Sequence, residues 1–126
     1  MTLKIQISSQ ARDDLLAIFE YGLTHFGERI AVAYSHLIET AINDLADDPK
    51  RIGTRPVGHH PHGIFAYPLE FSKKRAGARI RKPAHSVFFF TVEDEILVIA
   101  SLSRPSRENY IQALDIPTMR DEIEGD

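Results

Sequence analysis

The chain has 126 residues, a length that fits one domain. It carries a net charge of −3 and no cysteine, so disulfides and thiolate chemistry are excluded and a coat of nonspecific positive charge for DNA is not available. No apolar run approaches the roughly 20 residues that span a bilayer, and the first residues lack the basic-then-apolar order of a secretion signal. The expectation is a cytoplasmic protein with no membrane contact. The modest total charge hides a polarity: residues 73–82 are strongly basic, whereas 121–126 are acidic.

Residues 3–7 alternate, with Leu3, Ile5 and Ile7 on one face and Lys4 and Gln6 on the other, which predicts a half-buried strand. Ser8 and Ser9 follow, and either hydroxyl can cap a helix. Asp13 and Asp14 near that start suit the helix dipole. Leu15, Ile18, Phe19, Gly22 and Phe26 recur at steps of three and four and form one apolar stripe, which Gly27 ends. A second helix is predicted over about 28–47, with Ile30, Ala33, Tyr34, Leu37, Ile38, Ala41 and Leu45 as its stripe. Asp47-Asp48-Pro49 stops it, because proline lacks the amide a helix needs and restricts the residue before it. The short link favours an antiparallel pair, and the two stripes need a sheet to pack on.

Residues 50–63 are rich in Gly, Pro and His and read as loop. Residues 64–71 alternate, which puts Phe65, Tyr67, Leu69 and Phe71 on one face, and Pro68 inside the run places this strand at a sheet edge. The basic stretch SKKRAGARIRKPA, with Gly77 near its middle, is expected to form an extended hairpin arm. Residues 85–92 and 96–102 are almost continuously apolar. They read as central strands covered on both faces and joined by a tight turn at Glu93-Asp94-Glu95. RPSRENYIQAL can form a short C-terminal helix, and DEIEGD is expected to fray. The predicted architecture is α+β: an N-terminal strand, a two-helix antiparallel hairpin, an antiparallel three-stranded meander and a short terminal helix. Residues 1–114 form the single domain and 115–126 an acidic tail.

Two stretches carry a family likeness. One is SSQARDDLLAIFEYGLTHFGERIAVAYSHLIETAINDLADDPKRIG, a helix, an aromatic-Gly break, a second helix with Tyr34, and a Leu-x-x-x-Pro-like exit. The other is PAHSVFFFTVEDEILVIASLSR, where a His opens a strand, aromatics and an acidic turn follow, and the next strand runs into a basic residue. Together they make the chain resemble the RelE/ParE superfamily of bacterial toxin–antitoxin modules, closer to the ParE, or plasmid-stabilisation, branch. The resemblance extends to about residue 114 and rests on order and spacing. One departure stands out: many ParE-like chains end the last strand in a Leu-His pair, whereas here Leu102-Ser103-Arg104 takes that place.

The resemblance implies a toxin neutralised by a cognate antitoxin in a hetero-oligomer, with DNA gyrase as target and inhibition by binding. It implies as alternatives a RelE-like endoribonuclease acting on ribosome-bound mRNA, or a degenerate member that binds antitoxin without harm. For target contact the candidates are Arg104 and Arg107 with the basic arm, Lys73, Lys74, Arg75, Arg79, Arg81 and Lys82; the bland alternative for the arm is a solvated edge kept soluble by charge. For a nuclease the candidates are His85, Arg104, Arg107 and Tyr110, since cleavage at a ribose needs a base, an acid and cations for the phosphate. Against that, Arg107 and Tyr110 can simply pack a terminal helix, and a lone strand-opening histidine is more often structural than catalytic. For the antitoxin the candidates are the apolar residues Leu16, Leu23 and Ile42, through helix-in-groove contacts, with strand addition near Pro68 as a second mode. His59, His60 and His62 lie close in sequence, but with no nearby Cys or carboxylate pair no metal is expected, and without a phosphate-binding or dinucleotide turn no cofactor is expected.

Overall fold

The computed structural model describes residues 2–58, 63–107 and Ile111. The chain order is β1 (Lys4–Ile7), α1 (Ser9–Phe26), α2 (Glu28–Asp47), β2 (Arg55–Pro56), β3 (Phe65–Pro68), a 3-10 turn at Leu69–Ser72, α3 (Lys73–Ala76), β4 (Ser86–Val92), β5 (Ile96–Ser103) and a 3-10 turn at Pro105–Arg107. The strands form one sheet in the order β1-β5-β4-β3-β2. The predicted meander is present, since β3, β4 and β5 pair antiparallel in turn. The N-terminal strand joins it in parallel, with Lys4 to Ile7 beside Ile96 to Ile99, so the sheet is mixed.

Each helix boundary has a local cause. The Ser8 hydroxyl accepts from the Ala11 amide at 3.0 Å and caps α1. Gly27 is the single residue between α1 and α2, with φ of 89°, a conformation that favours glycine. Just before it, Gly22 lies so close to Ala31 that an added Cβ would sit 3.3 Å from that methyl group, and this close approach folds α2 back against α1. At the other sharp reversal, Glu93 and Asp94 both take positive φ, the requirement of a type I′ hairpin turn, and the Glu95 amide closes it on the Val92 carbonyl.

Strands β4 and β5 separate two cores. Val87, Phe89, Leu97, Ile99 and Leu102 pack with Leu37, Ile38, Ala41 and Leu45 on the helix side. Phe88, Phe90, Val92, Val98 and Ala100 pack on the far side with Val57, Ile64 and Ile111. This two-faced burial is why both strands read as continuous apolar runs. The pairing shifts between Phe88 and Phe89, where Ala100 is an extra residue on β5.

Several expectations are corrected. The strand predicted over 64–71 ends at Pro68 because proline offers no amide to the ladder; Leu69–Ser72 and α3 follow instead of a long strand and an extended arm. The 50–63 loop contributes the two-residue β2, which covers only part of β3's outer side. The stripes of α1 and α2 are narrower near Gly27 than their periodicity implies. Phe26 is 62% exposed and Ile30 also lies open, because the sheet does not reach the hairpin tip. Ile42, placed among the exposed apolar candidates, is 7% exposed and belongs to the helix-side core. The predicted C-terminal helix beyond Arg107 and the tail lie outside the described residues, apart from the buried Ile111. Among the described residues no helix is long and apolar enough to cross a membrane.

Candidate functional site

A polar cleft of about 230 Å³ opens where the C-terminal end of β5 meets α1, lined by Gln10, Asp14, Ala17, Ile18, His85, Leu102, Ser103, Arg104 and Arg107. One lining residue, His85, leads into β4 and is bonded from α2. The Tyr34 hydroxyl and His85 Nδ1 are 2.6 Å apart, with the rings edge to face. Burial raises the Tyr34 pKa above its ordinary value, opposed by the backbone amides of Ala84 and His85 and by the charge of Arg104. Burial also lowers the His85 pKa; Arg104 lowers it further, while Asp14 pulls the other way. Near neutral pH the phenol therefore keeps its proton and the imidazole is uncharged. The bond to Tyr34 uses Nδ1 and leaves Nε2 as the ring nitrogen available to a ligand.

The front edge of the cleft is set by α1. Beyond the end of β1, side chains take over the work of a strand. The Ser8 amide donates to the Ile99 carbonyl at 3.0 Å and the Ser8 hydroxyl to the Ala100 carbonyl at 2.8 Å, at the bulge. Asp14 Oδ2 then accepts from the Leu102 amide at 3.0 Å and the Ser101 hydroxyl at 2.7 Å, while its Oδ1 accepts from Gln10 at 2.9 Å. Asp14 is thus committed to the open edge of β5, and the dipole role expected for Asp13 and Asp14 is corrected, because both lie beyond the first turn of α1. Ser101 also bonds Ser103 at 3.0 Å.

Of the candidates for target contact or chemistry, Arg104, Arg107 and His85 converge on this cleft. Both arginines are exposed, and Arg107 is held in its 3-10 turn by a hydrogen bond from its backbone amide to the Arg104 carbonyl at 2.9 Å. Tyr110 and the histidines 59, 60 and 62 lie outside the described residues. Among the described residues no three His, Asp or Glu side chains are placed to hold a metal ion.

The basic arm is a different kind of place. Arg75 Nε sits 2.8 Å from Asp44 Oδ1, so this candidate for target contact is bound within the fold. Arg51 lies 3.3 Å from Asp44 Oδ2 and stacks over the Tyr67 ring at 5.6 Å. The Ser72 hydroxyl donates to Asp44 at 2.7 Å and bonds the Tyr67 hydroxyl at 2.7 Å. Lys73 is half-buried and donates to the Arg81 carbonyl at 2.7 Å, closing the loop after α3. Lys74, Arg79, Arg81 and Lys82 remain exposed.

A second depression, almost wholly apolar, lies between β1 and the helices and is lined by Ile5, Ile7, Leu15, Ile38 and Ile42 with Ser35, Glu39 and Asn43 at its rim. Leu16 and Leu23 are exposed on α1, as expected, whereas Ile42 contributes from the floor of this depression.

Asp14 and Asp44 escaped the sequence reading as site residues. A signal was present: Asp44 lies seven residues after Leu37, and Asp14 four before Ile18, so both fall on the buried arc of their helices. A carboxylate on such an arc must find donors.

No family model matches the chain, and no curated protein does. Solved structures do match it. The chromosomal ParDE toxin–antitoxin system from P. aeruginosa superposes with a TM-score of 0.61 at 18% identity, covering 82% of this chain and 96% of that one. The RelBE2 toxin–antitoxin complex from Mycobacterium tuberculosis gives 0.52 at 18% identity, over 82% of this chain and 99% of that one. The YoeB dimer from Staphylococcus aureus gives 0.52 at 17% identity, over 82% and 97%. At these identities the likeness is one of fold.

Proposed function

We propose, from the RelE/ParE-like fold that this chain shares with those structures, that it is the toxin of a type II toxin–antitoxin module. It acts in the cytoplasm by the ParE-like route, binding DNA gyrase and blocking it without chemistry of its own, and a cognate antitoxin neutralises it. The observation that carries the choice of binding over cleavage is the state of the cleft's acid–base groups. Asp14 is engaged by the Ser101 hydroxyl, the Leu102 amide and Gln10, and the Tyr34 hydroxyl and His85 Nδ1 are bonded to each other. RNA cleavage needs a separate acid and base across the phosphate. Among the described residues only His85 Nε2 remains for that work, whereas Arg104 stands exposed for docking.

The antitoxin reading draws on a different surface. Leu16 and Leu23 present apolar side chains on α1, and the depression floored by Ile38 and Ile42 can take the apolar face of a partner helix. The Lys4 and Ser8 amides point at β5, so by alternation the backbone groups of Ile5 and Ile7 face outward from the sheet. An extended antitoxin segment can add there as a sixth strand. This outer side of β1 is a better edge for that purpose than β3 near Pro68, which β2 partly covers.

The direct test is gyrase supercoiling titrated with purified protein. Inhibition that disappears on Arg104→Ala and on addition of the antitoxin supports the reading; full supercoiling at saturating protein removes gyrase as the target. The RelE-like alternative is favoured by one feature, the His85 Nε2 that the Tyr34 bond leaves unused in the cleft that Arg104 also lines, and primer extension on translated mRNA separates it by codon-register cuts. Growth that continues when the protein is expressed without its antitoxin identifies the degenerate case.

A further inference from the structure

Strand β5 outruns its neighbour. Strand β1 ends at Ile7 opposite Ile99, but β5 continues to Ser103 and delivers Arg104 to the cleft. An edge left bare over residues 100–103 would fray, and every side chain that depends on its direction would move with it. The bare edge is instead completed by a side chain of α1. The Asp14 carboxylate takes the Leu102 amide as a paired backbone carbonyl would, and holds the Ser101 hydroxyl on the same oxygen.

We infer that Asp14 is the positioning residue of the cleft: it stands in for the missing strand beside β5 and thereby fixes where Arg104 is held relative to His85. The donors on Asp14 are an amide, a hydroxyl and a side-chain amide, so none of them cancels its charge. The carboxylate therefore does two things at once. It aims the strand end, and it offsets the positive charge that Arg104 places on His85. The charged and titratable groups acting on His85 come from three elements: Tyr34 of α2, Asp14 of α1, and Arg104 after β5. The inference builds on the assignment of target contact to Arg104, yet its decisive readouts do not depend on that target.

Two variants separate the two actions. Asp14→Asn keeps an oxygen to accept the Leu102 amide and removes the charge; Asp14→Ala removes both; Asp13→Ala, exposed on the neighbouring position, serves as control. Amide hydrogen exchange on the full chain is expected to quicken at Leu102 by about tenfold or more in Asp14→Ala, beyond any change at the central amides of β4, and to stay near the original rate in Asp14→Asn. The His85 ring resonance is expected to titrate at lower pH in both variants, because both lose the negative charge. Inhibitory potency is expected to fall about tenfold in Asp14→Ala, with partial rescue in Asp14→Asn. Leu102 exchange in Asp14→Ala equal to that in Asp13→Ala overturns the inference, and so does a His85 titration unmoved in both variants. If the unmodified protein inhibits no gyrase while Leu102 and His85 respond as expected, the gyrase reading falls and Asp14 keeps its assignment.

Discussion

Two helix carboxylates, Asp14 and Asp44, serve the molecule in opposite ways. Asp44 is 2% exposed and gathers two guanidiniums, Arg51 and Arg75, together with the Ser72 hydroxyl. Among the described residues, Asp14 gathers only neutral donors. Where the carboxylate takes arginines, their charge is spent on joining α2 to the 3-10 turn and α3. Where it takes neutral groups, a nearby arginine stays available to a partner. The contrast separates cations bound within the fold from one left exposed beside the cleft, a distinction that a count of basic residues cannot make.

The comparison can be broken at several points. Asp44→Ala should cost the most, about 3 kcal/mol, toward the lower end for a disrupted buried ion pair because Arg75 can turn to water. Chemical denaturation measures it, and a loss below about 1 kcal/mol would mean that the cluster is held by packing alone. Tyr67→Phe removes the hydroxyl bonded to Ser72 and should cost about 1 kcal/mol, with the cluster otherwise intact.

The cleft should instead show its character through pH. His85 is harder to protonate in the folded chain than in the unfolded one, whose value is near 6.5. Between those two values the unfolded state binds the extra proton, so this contribution is complete above about pH 6.5 and is lost as pH falls below it. Denaturation midpoints of the wild type and His85→Asn, compared from pH 8 to about pH 5, should converge as the solution becomes acidic; a constant gap across that range would mean that the folded imidazole titrates normally. Arg104→Ala should change stability least, within about 0.5 kcal/mol, while abolishing toxicity on expression. A stability loss near that of Asp44→Ala would place Arg104 in the structural class instead.

Much of this fold is legible in the residues. The helix pair, the acidic turn and the doubly buried β4 and β5 follow from periods of 3.6 and 2 and from turn chemistry. Apolar alternation continues past Pro68 and predicts a strand over 64–71, but the backbone does not follow it: the ladder closes at Pro68 and the Leu69 amide instead bonds the His85 carbonyl at 3.2 Å. The basic arm looked uniform because spacing along the chain cannot reveal that Arg75 meets an aspartate thirty-one positions earlier. The cleft was half visible. His85 and Arg104 are candidates from the sequence, but Tyr34, which bonds His85, and Asp14, which braces β5, come from helices far away in sequence, and the bond between Tyr34 and His85 spans 51 positions.

The pairing of the first strand with the last sets a timetable for synthesis. Ser8 and Ala100 are 92 positions apart, yet they bond to each other. Contacts of such long separation form late and slow the search for the native state. On the ribosome, β1 is made before β5 and must wait, unpaired, until β5 has cleared the exit tunnel; the cleft that β5 carries is completed only then. A nascent or prematurely terminated chain would thus lack the assembled cleft, and the apolar face of its helices would meanwhile be open to whatever protein reaches it first.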